Sequence, residues 1–362
     1  MYMKKKILVV LTGGTICSAI KENIRTLDTD YAKIALVNSY LNSDSPLRDE
    51  IEFEIGENFN TLSENMTIEI WNRILAYFRS VDFESYDGVI IAHGTDTLAY
   101  TSSLLSVVLN GIDIPFFLVS SNAPLELSEE KANGYINFKC AAECIGYGIK
   151  SGVYVPYRNT EDHKLYLHLG SRLSQSRNYS EDFYSVGAIL IEELNKDVIL
   201  QINNSFSSDP YKGEPLLLKN HAHELYDCVL RIDPYVGINY NAYQYNNYKA
   251  VLHGSYHSGT TCVEKTATHP EYSDHSILYL LDKCSDMGID VYAAPIKSEG
   301  DVYDTVPIML RHEKNGKHII PLYGCTMEMA YVKLLIIYSY ELFDSDHDEI
   351  LYHNRFDEIF AR

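Results

Sequence analysis

Two five-residue strings carry the side chains best suited to chemistry. Residues 12–16 read Thr-Gly-Gly-Thr-Ile and residues 93–97 read His-Gly-Thr-Asp-Thr, and each string follows a short apolar run, at 7–11 and 89–92. Apolar runs that end in glycine and hydroxyl residues are typical of buried parallel strands, whose following loops line a crevice at the carboxyl edge of the sheet. These loops predict a hydroxyl nucleophile beside an anchor for a small charged molecule.

Other interpretations of these strings are less favoured. The first string could be a tight turn or a loop that cradles a phosphate group, but it lacks the G-x-G-x-x-G and G-K-[ST] spacings of nucleotide sites. His93 is predicted to be a structural hydrogen-bonding residue behind the site rather than a general base. The thirteen histidines show no metal-ligand spacing, so we expect no metal.

Composition restricts the partners and the compartment. The 362 residues include 50 acidic and 30 basic ones, for a formal net charge of −20, which argues against nucleic acid or an anionic membrane as a partner. Only five apolar residues follow the basic cluster at 4–6, too few for a secretory signal, and no run reaches transmembrane length. The seven cysteines form no C-x-x-C, which favours reduced core thiols in a cytoplasmic protein.

The elements that must position the two strings alternate between strand and helix through the first half. The apolar patterns predict strands at 6–11, 52–55, 88–92 and 116–119, and helices at 31–41, after Thr67 and from Leu98. Such repeats predict an α/β fold with a larger N-terminal domain built on a doubly wound, mainly parallel sheet. We expect this domain at 1–202, a polar linker at 203–224 and a smaller C-terminal α/β domain at 225–362.

Together the two strings resemble the hallmark loops T-G-G-T-I and H-G-T-D-T of the bacterial-type L-asparaginase family, which includes asparaginase/glutaminase-like and cytoplasmic type I-like members. Three further segments support the resemblance in order along the chain. Residues 63–71 resemble S-x-x-M-T-x-x-x-W, residues 132–137 are similar to A-D-G-x-x-N, and residues 326–334 are similar to T-x-E-x-A-x-x-K-L.

The resemblance implies a role for each matched residue. Thr15 falls on the nucleophile, Thr95 on the threonine that assists proton transfer, and Asp96 on the carboxylate that binds the substrate's α-ammonium group. Ser63 falls on the residue that holds the α-carboxylate. Ser121 falls on a strand-end position whose backbone lines the side-chain amide.

Three positions depart from the family pattern. Where the segment G-x-R-x-x-K carries a lysine that tunes the second threonine, residues 170–175 read G-S-R-L-S-Q and place Gln175 there. Glutamine cannot accept and release a proton, and Lys164 is the candidate to restore the charge. The lid tyrosine expected ten to thirteen residues after Thr15 is missing, and Tyr31 is the next one. Glu64 stands beside the carboxylate pocket where glutamine is common.

The resemblance implies an amidohydrolase that converts L-asparagine to L-aspartate and ammonia through a threonine acyl-enzyme. The partner is then a small amino-acid substrate, and the protein is a homodimer or homotetramer in which the smaller domain of one protomer flanks the site of another. Two alternatives stay open because of Gln175 and Glu64. One is a glutaminase or an amidase for a modified amide, and the other is a weakly active or non-hydrolytic amino-acid-binding protein.

Overall fold

The computed structural model of the protein describes residues 4–21, 24–127, 131–205, 214–219, 223–264, 272–297, 302–343 and 345–359. The chain divides into two compact units, Met1–Asn220 and His221–Arg362. The strands are β1 Lys5–Leu11, β2 Ser18–Lys21, β3 Ile24–Leu27, β4 Ile51–Asn58, β5 Gly88–Ala92, β6 Pro115–Val119, β7 Gly152–Arg158, β8 Leu165–Leu169, β9 Ile189–Ile191, β10 Val229–Ile232, β11 Ala250–Gly254, β12 Asp290–Ile296, β13 Glu313–Lys314, β14 Lys317–His318 and β15 Ile320–Tyr323. The helices are α1 Thr29–Leu41, α2 Ile68–Arg79, α3 Leu98–Val108, α4 Gly134–Tyr147, α5 Lys196–Ser205, α6 Ile277–Asp286, α7 Thr305–Arg311, α8 Met327–Tyr340 and α9 Ser345–Leu351.

The first unit is built on a seven-stranded sheet in the order β4-β1-β5-β6-β7-β8-β9. Neighbouring strands run parallel from β4 to β7, whereas β8 and β9 are antiparallel to the strands beside them. Helices cover both faces, because strands buried on both sides need apolar partners above and below. The predicted α/β class with a larger, mainly parallel sheet is therefore confirmed.

Alternating side chains assign each strand residue to one face of this sheet. Val9, Ile90 and Phe117 belong to a core that also contains residues of α1, α4 and α5. Phe116, the neighbour of Phe117, points the other way and contacts Phe78 of α2, with ring centroids 6.3 Å apart. Helices thus pack against both faces of the sheet, and the site can form only in the loops at the ends of the strands.

Local sequence explains how the helices start. The Thr67 hydroxyl accepts a hydrogen bond from the N–H of Ile70 at 3.4 Å, which confirms the predicted cap of α2. The side chain of Asp28 accepts one from the N–H of Tyr31 at 3.0 Å and caps α1. Between the first string and α1 the chain forms an antiparallel pair, β2 with β3, that the sequence analysis did not predict.

The second unit carries a smaller parallel sheet in the order β10-β11-β12-β15. Its core includes residues of α6, and the long helix α8 is buried along most of its length. Lys333 of α8 forms a fully buried ion pair with Glu358. The lysine of the last-helix motif therefore holds the C-terminal segment onto α8.

The structure also bears on the predicted linker, the cysteines and the search for membrane-spanning helices. Helix α5 extends to Ser205, so the first residues of the predicted linker are helical, while 206–213 and 220–222 lie outside the described residues. All seven cysteines are free thiols, and six of them are buried. In the described parts of the chain, no helix combines the length and apolarity needed to span a membrane.

Buried histidines make the stability of this fold depend on pH. In His253 at the end of β11, Nδ1 lies 2.6 Å from the Gly254 carbonyl and Nε2 lies 2.7 Å from the Tyr240 hydroxyl. Burial lowers the pKa of His253 to about 4. Because the ordinary value is about 6.5, the unfolded chain takes up this proton first as the pH falls, and the folded state loses stability below that value.

We predict that replacing His253 with glutamine reduces the acid sensitivity of the protein. Between pH 7 and pH 5 the free energy of unfolding should fall by about 2 kcal/mol less in His253→Gln than in the wild type. Urea unfolding followed by circular dichroism measures this difference. His318, which is exposed, supplies the control His318→Gln, and equal pH dependence in both variants would contradict the prediction.

Candidate active site

The loops that follow three central strands begin at one edge of the larger sheet. Leu11 of β1 pairs with Ala92 of β5, and Ala92 pairs with Val119 of β6. Because the strands are parallel and in register, the two strings at 12–16 and 93–97 leave the sheet side by side. The structure therefore brings the two predicted loops together.

Glycines allow the backbones of these loops to touch. A Cβ built on Gly14 would lie 2.2 Å from the Cα of Gly94, and one built on Gly13 would lie 2.0 Å from the carbonyl oxygen of Thr61. A Cβ on Gly94 would meet the Ser63 hydroxyl oxygen at 2.4 Å. Gly13 and Gly14 also have positive φ values of 127° and 82°, a conformation that glycine adopts at little cost. No other residue fits these positions without moving a loop.

The two candidate reacting hydroxyls follow the contacting glycines directly. Thr15 comes after Gly14 and opens a short 3₁₀ helix, and Thr95 comes after Gly94. Both threonines are half-buried, and no hydrogen bond to another described residue occupies either hydroxyl. Burial raises the pKa of the neighbouring Cys17 thiol to about 12, and that side chain belongs to the core. The two half-buried hydroxyls therefore remain the candidate reacting groups of these loops.

Ser63 and Asp96, predicted to hold the two charged ends of an amino acid, are in direct contact. The Ser63 hydroxyl donates to Oδ2 of Asp96 at 2.7 Å, and the N–H of Asp96 points back to the same hydroxyl at 3.4 Å. The Thr97 hydroxyl donates to the Ser63 carbonyl at 3.0 Å. Ser63 is buried, whereas Asp96 is exposed. The carboxylate is thus oriented from one side and open to solvent.

His93 lies beneath the second loop. It is fully buried, and its Nδ1 is 2.7 Å from the Gly94 carbonyl. A carbonyl only accepts, so Nδ1 carries the proton. Burial lowers the pKa of His93 to about 4, which keeps the ring neutral. These contacts are those of a structural residue holding the loop.

The segment that follows β8, residues 170–176, also contacts the second loop. The Gln175 side-chain Nε2 donates to the backbone carbonyl of Asp96, and its Oε1 is buried with no partner among the described residues. The next residue, Ser176, donates to the Asp182 carbonyl at 2.9 Å and the Ser180 carbonyl at 2.8 Å. The residue predicted at the lysine position is therefore at the site, as a neutral amide.

A protein-family model described as "Asparaginase, N-terminal" matches residues 6–204, more than half of the chain. The chain belongs to the asparaginase family. Its matched region contains β2 to β9, all of β1 except Lys5, and the three segments that build the site. The predicted family is thus confirmed, and the protein is an asparaginase-family amidohydrolase.

Solved structures with asparaginase names share the fold. The thermostable L-asparaginase from Thermococcus kodakarensis is 22% identical with a TM-score of 0.72, and the alignment covers 99% of this chain and 100% of that one. L-asparaginase I from Vibrio cholerae O1 biovar eltor is 22% identical with a TM-score of 0.63, covering 99% and 98%. At these identities the likeness demonstrates the fold alone.

Similar curated proteins carry a different name, that of one component of a glutamyl-tRNA(Gln) amidotransferase. The protein from Haloquadratum walsbyi is 30% identical over 197 residues, which cover 52% of this chain and 41% of that protein. The one from Methanococcus maripaludis strain DSM 14266 is 26% identical over 345 residues, covering 93% and 77%. The chain therefore spans less than half the length of some of these relatives.

The remaining predicted residues have other settings in this asparaginase-family structure. The Ser121 hydroxyl donates to the Ala123 carbonyl at 2.6 Å and accepts from the N–H of Gly134 at 3.2 Å, so it stabilises the start of α4. Tyr31 lies in the first turn of α1, a helix that contacts the 3₁₀ helix at Thr15. Its side chain is exposed, and its role as a lid or in proton transfer stays a prediction.

Glu64 and Lys164 are both exposed. Glu64 follows Ser63 in a short 3₁₀ helix. Lys164 lines a cavity of about 440 Å³ together with Lys139 and Glu143 of α4. The structure thus gives Lys164 a place with α4, whereas Gln175 contacts the Asp96 loop.

Sequence reasoning assigned no role to two residues that hold the site loops. The Asn137 side chain donates to the Ser120 carbonyl at 3.0 Å and accepts from the N–H of Arg158 at 2.8 Å, so it ties β6 to β7. Thr97 binds the Ser63 carbonyl, as described above. Both residues stand inside the quoted motifs, which was the available signal. The described residues contain no group of three acidic, histidine or cysteine side chains arranged to bind a metal.

We predict that Gly14→Ala destabilises the protein much more than Gly148→Ala. Gly148 at the end of α4 has a similar φ of 84°, but a Cβ there meets no atom within 4 Å. Gly148→Ala therefore measures the cost of a positive φ alone, which should lower the free energy of unfolding by about 1 kcal/mol. Gly14→Ala adds the collision with Gly94, and its free energy of unfolding should fall by at least about 3 kcal/mol in urea. Equal losses would show that the loops do not need this contact.

Proposed function

We propose that this protein hydrolyses the side-chain amide of L-asparagine to L-aspartate and ammonia. The observation that supports the proposal is the contact between Gly14 and Gly94, the residues that directly precede Thr15 and Thr95, next to the hydrogen-bonded pair Ser63 and Asp96. A nucleophile, a second hydroxyl and an anchored carboxylate are what an amide of a free amino acid requires.

In the proposed reaction Thr15 Oγ attacks the amide carbon and the carbonyl oxygen becomes an oxyanion. Backbone N–H groups of the glycine-rich loops stabilise that charge. The tetrahedral intermediate collapses, the C–N bond breaks, and the proton of Thr15, polarised by a hydrogen bond to the Thr95 oxygen, passes to the leaving nitrogen, which departs as ammonia. Water then attacks the acyl-enzyme, its oxygen enters the new carboxylate, and one of its protons restores the Thr15 hydroxyl.

The Asp96 carboxylate anchors the other end of the substrate. It accepts hydrogen bonds from the α-ammonium group, a charge-assisted contact that is stronger than one between neutral groups. Ser63 holds that carboxylate and lies where the α-carboxylate is bound in the family pattern. Glu64 and Ser121 complete the proposed pocket, and neither a metal nor a cofactor takes part.

Two other activities follow from particular observations. The relatives named as amidotransferase components, together with Glu64 beside Ser63, make the amide of glutamine or of a modified side chain the second candidate substrate. Gln175 in the lysine position supports slow hydrolysis or amino-acid binding alone, since loss of a positioned acid–base group lowers rates by about 10²–10⁴. Substrate comparison separates these candidates.

We also propose that the protein works in the cytoplasm as a homodimer or homotetramer. The family resemblance supports this assembly, and the acidic chain with its seven free thiols supports the compartment. Small-angle scattering of the purified protein measures the assembly.

Thr15→Ala is predicted to abolish ammonia release from asparagine. The rate should fall by at least about 10³-fold because no other nucleophile replaces the hydroxyl. Ammonia release from asparagine and, separately, from glutamine measures the activity, and Thr15→Ser, which keeps a hydroxyl, is the control. Release that is the same in Thr15→Ala and the wild type would exclude Thr15 as the nucleophile. No release from either substrate, with aspartate still raising the melting temperature, would leave a binding protein.

Asp96→Asn is predicted to weaken aspartate binding by about 10–100-fold, because the ammonium group loses a charged acceptor. Isothermal titration calorimetry measures the dissociation constant. Glu69→Gln removes an exposed carboxylate from the first turn of α2 and is the matched control for net charge. Equal affinities in the two variants would show that Asp96 is not the anchor.

A further inference from the structure

Gln175 is held in place by a network that leads away from the site. Beyond the two bonds of Ser176, the buried Asp182 accepts from the Thr160 hydroxyl at 2.8 Å and the Glu161 N–H at 3.2 Å. Asn159 donates to the Phe183 carbonyl at 3.1 Å. The segment after β8 is therefore fastened to the end of β7, and it presents Gln175 to the second loop from a fixed position.

The Asp96 carbonyl decides which way the Gln175 amide faces. A backbone carbonyl only accepts hydrogen bonds, so the atom opposite it must be Nε2. The side-chain oxygen Oε1 then faces away from Asp96, where it is buried and lacks a partner among the described residues. Buried polar atoms in folded proteins nearly always make a hydrogen bond, so we expect this oxygen to accept one from a nearby donor.

Thr95 carries a hydroxyl on the same loop. It precedes Asp96 directly, it is half-buried, and its hydroxyl makes no hydrogen bond to another described residue. Rotation about the Cα–Cβ bond moves this hydroxyl among three staggered positions, and no partner within the described residues fixes its direction.

We propose that Gln175 is a positioning residue that acts as a neutral donor and acceptor on the second loop. Its side-chain N–H donates a hydrogen bond to the Asp96 carbonyl, and its side-chain oxygen accepts a hydrogen bond from the Thr95 hydroxyl. A lone pair of Thr95 then faces the reacting groups. The inference rests on the proposed function for its catalytic meaning, but the two hydrogen bonds belong to the free protein and are tested there.

The Gln175 amide does not ionise, so the site lacks the titrating amine that a lysine would provide at this position. In the family pattern a lysine occupies this place, and an amine changes its charge with pH, whereas an amide keeps both its donor and its acceptor at every pH between about 5 and 9. We therefore expect the rate of the wild-type enzyme to show no ionisation that belongs to this position.

Gln175→Glu tests the donor and acceptor pattern directly. A protonated carboxyl group has one O–H donor and one carbonyl acceptor, as the amide has, but a carboxylate has acceptors alone and repels the Asp96 carbonyl. Burial raises the pKa of such a carboxyl group. Relative to the wild type, kcat/KM for asparagine should stay within about threefold at pH 5.5 and fall by more than about 30-fold at pH 8. A ratio that does not change with pH overturns the proposal.

Gln175→Met separates this role from simple packing, since methionine fills a similar volume with no strong donor or acceptor. Its kcat/KM should be reduced about tenfold at both pH values. Gln201→Met, on the exposed side of α5, is the matched control and should match the wild type. Unchanged kcat/KM in Gln175→Met overturns the proposal.

A double-mutant cycle without substrate tests the Thr95 bond and separates it from the proposed function. The urea midpoint at pH 7 is measured for Thr95→Val, Gln175→Met and the combined variant. If Gln175 accepts from Thr95, the combined shift is smaller than the sum of the two single shifts. Additive shifts overturn the proposal. Absence of hydrolysis in the wild type rejects the proposed function, while the cycle and the pH dependence of the Gln175→Glu midpoint still decide the role of Gln175.

Discussion

The candidate site depends on one steric constraint, the contact between the backbones of two strand-end loops at Gly14 and Gly94. Parallel strands bring loops to a common edge, but ordinary side chains would keep those loops apart. Two glycines without Cβ atoms remove that separation, with a built Cβ on Gly14 only 2.2 Å from the facing Cα. Because each glycine is followed by a threonine, the contact that packs the loops also brings Thr15 and Thr95 onto adjoining stretches of backbone.

The second unit shows which part of this arrangement is structural. Its strand β11 ends in His253 and Gly254, as β5 is followed by His93 and Gly94, and each histidine directs Nδ1 at the carbonyl of the glycine after it. Burial lowers the pKa of both histidines to about 4. A Cβ on Gly254, however, would meet Asp233 and Pro234 rather than a second glycine loop. The His-Gly turn thus ends a buried strand in both units. The glycine that faces it, Gly14 opposite Gly94, is the feature found at the candidate site and not at Gly254.

Much of this could be predicted from sequence where one local rule dominates. Apolar runs bounded by glycine located β1 and β5, and the hydroxyl of Thr67 marked the start of α2, because these signals depend on neighbouring residues alone. The pair β2–β3 was not predicted, since strands of four residues are too short for a clear alternation. The pair lies between Thr15 and α1, the helix whose first turn contains Tyr31. The match of motifs placed Gln175 at the site, but which of its atoms faces Asp96 depends on a loop 79 residues away.

The neutral Gln175, which stands where the resemblance implies a lysine, adds no positive charge to the candidate site. Asp96 has the Ser63 hydroxyl as its side-chain partner, and in the described part of the chain no lysine or arginine forms an ion pair with it. The formal net charge of the whole chain is −20, which favours the approach of positively charged groups over negatively charged ones. Under the proposed function the α-ammonium group of the substrate is then the cation that balances Asp96. A ligand without that group would leave the exposed Asp96 carboxylate to water and would lose the charge-assisted contact. Under the proposed function the site therefore favours free amino acids over simple amides.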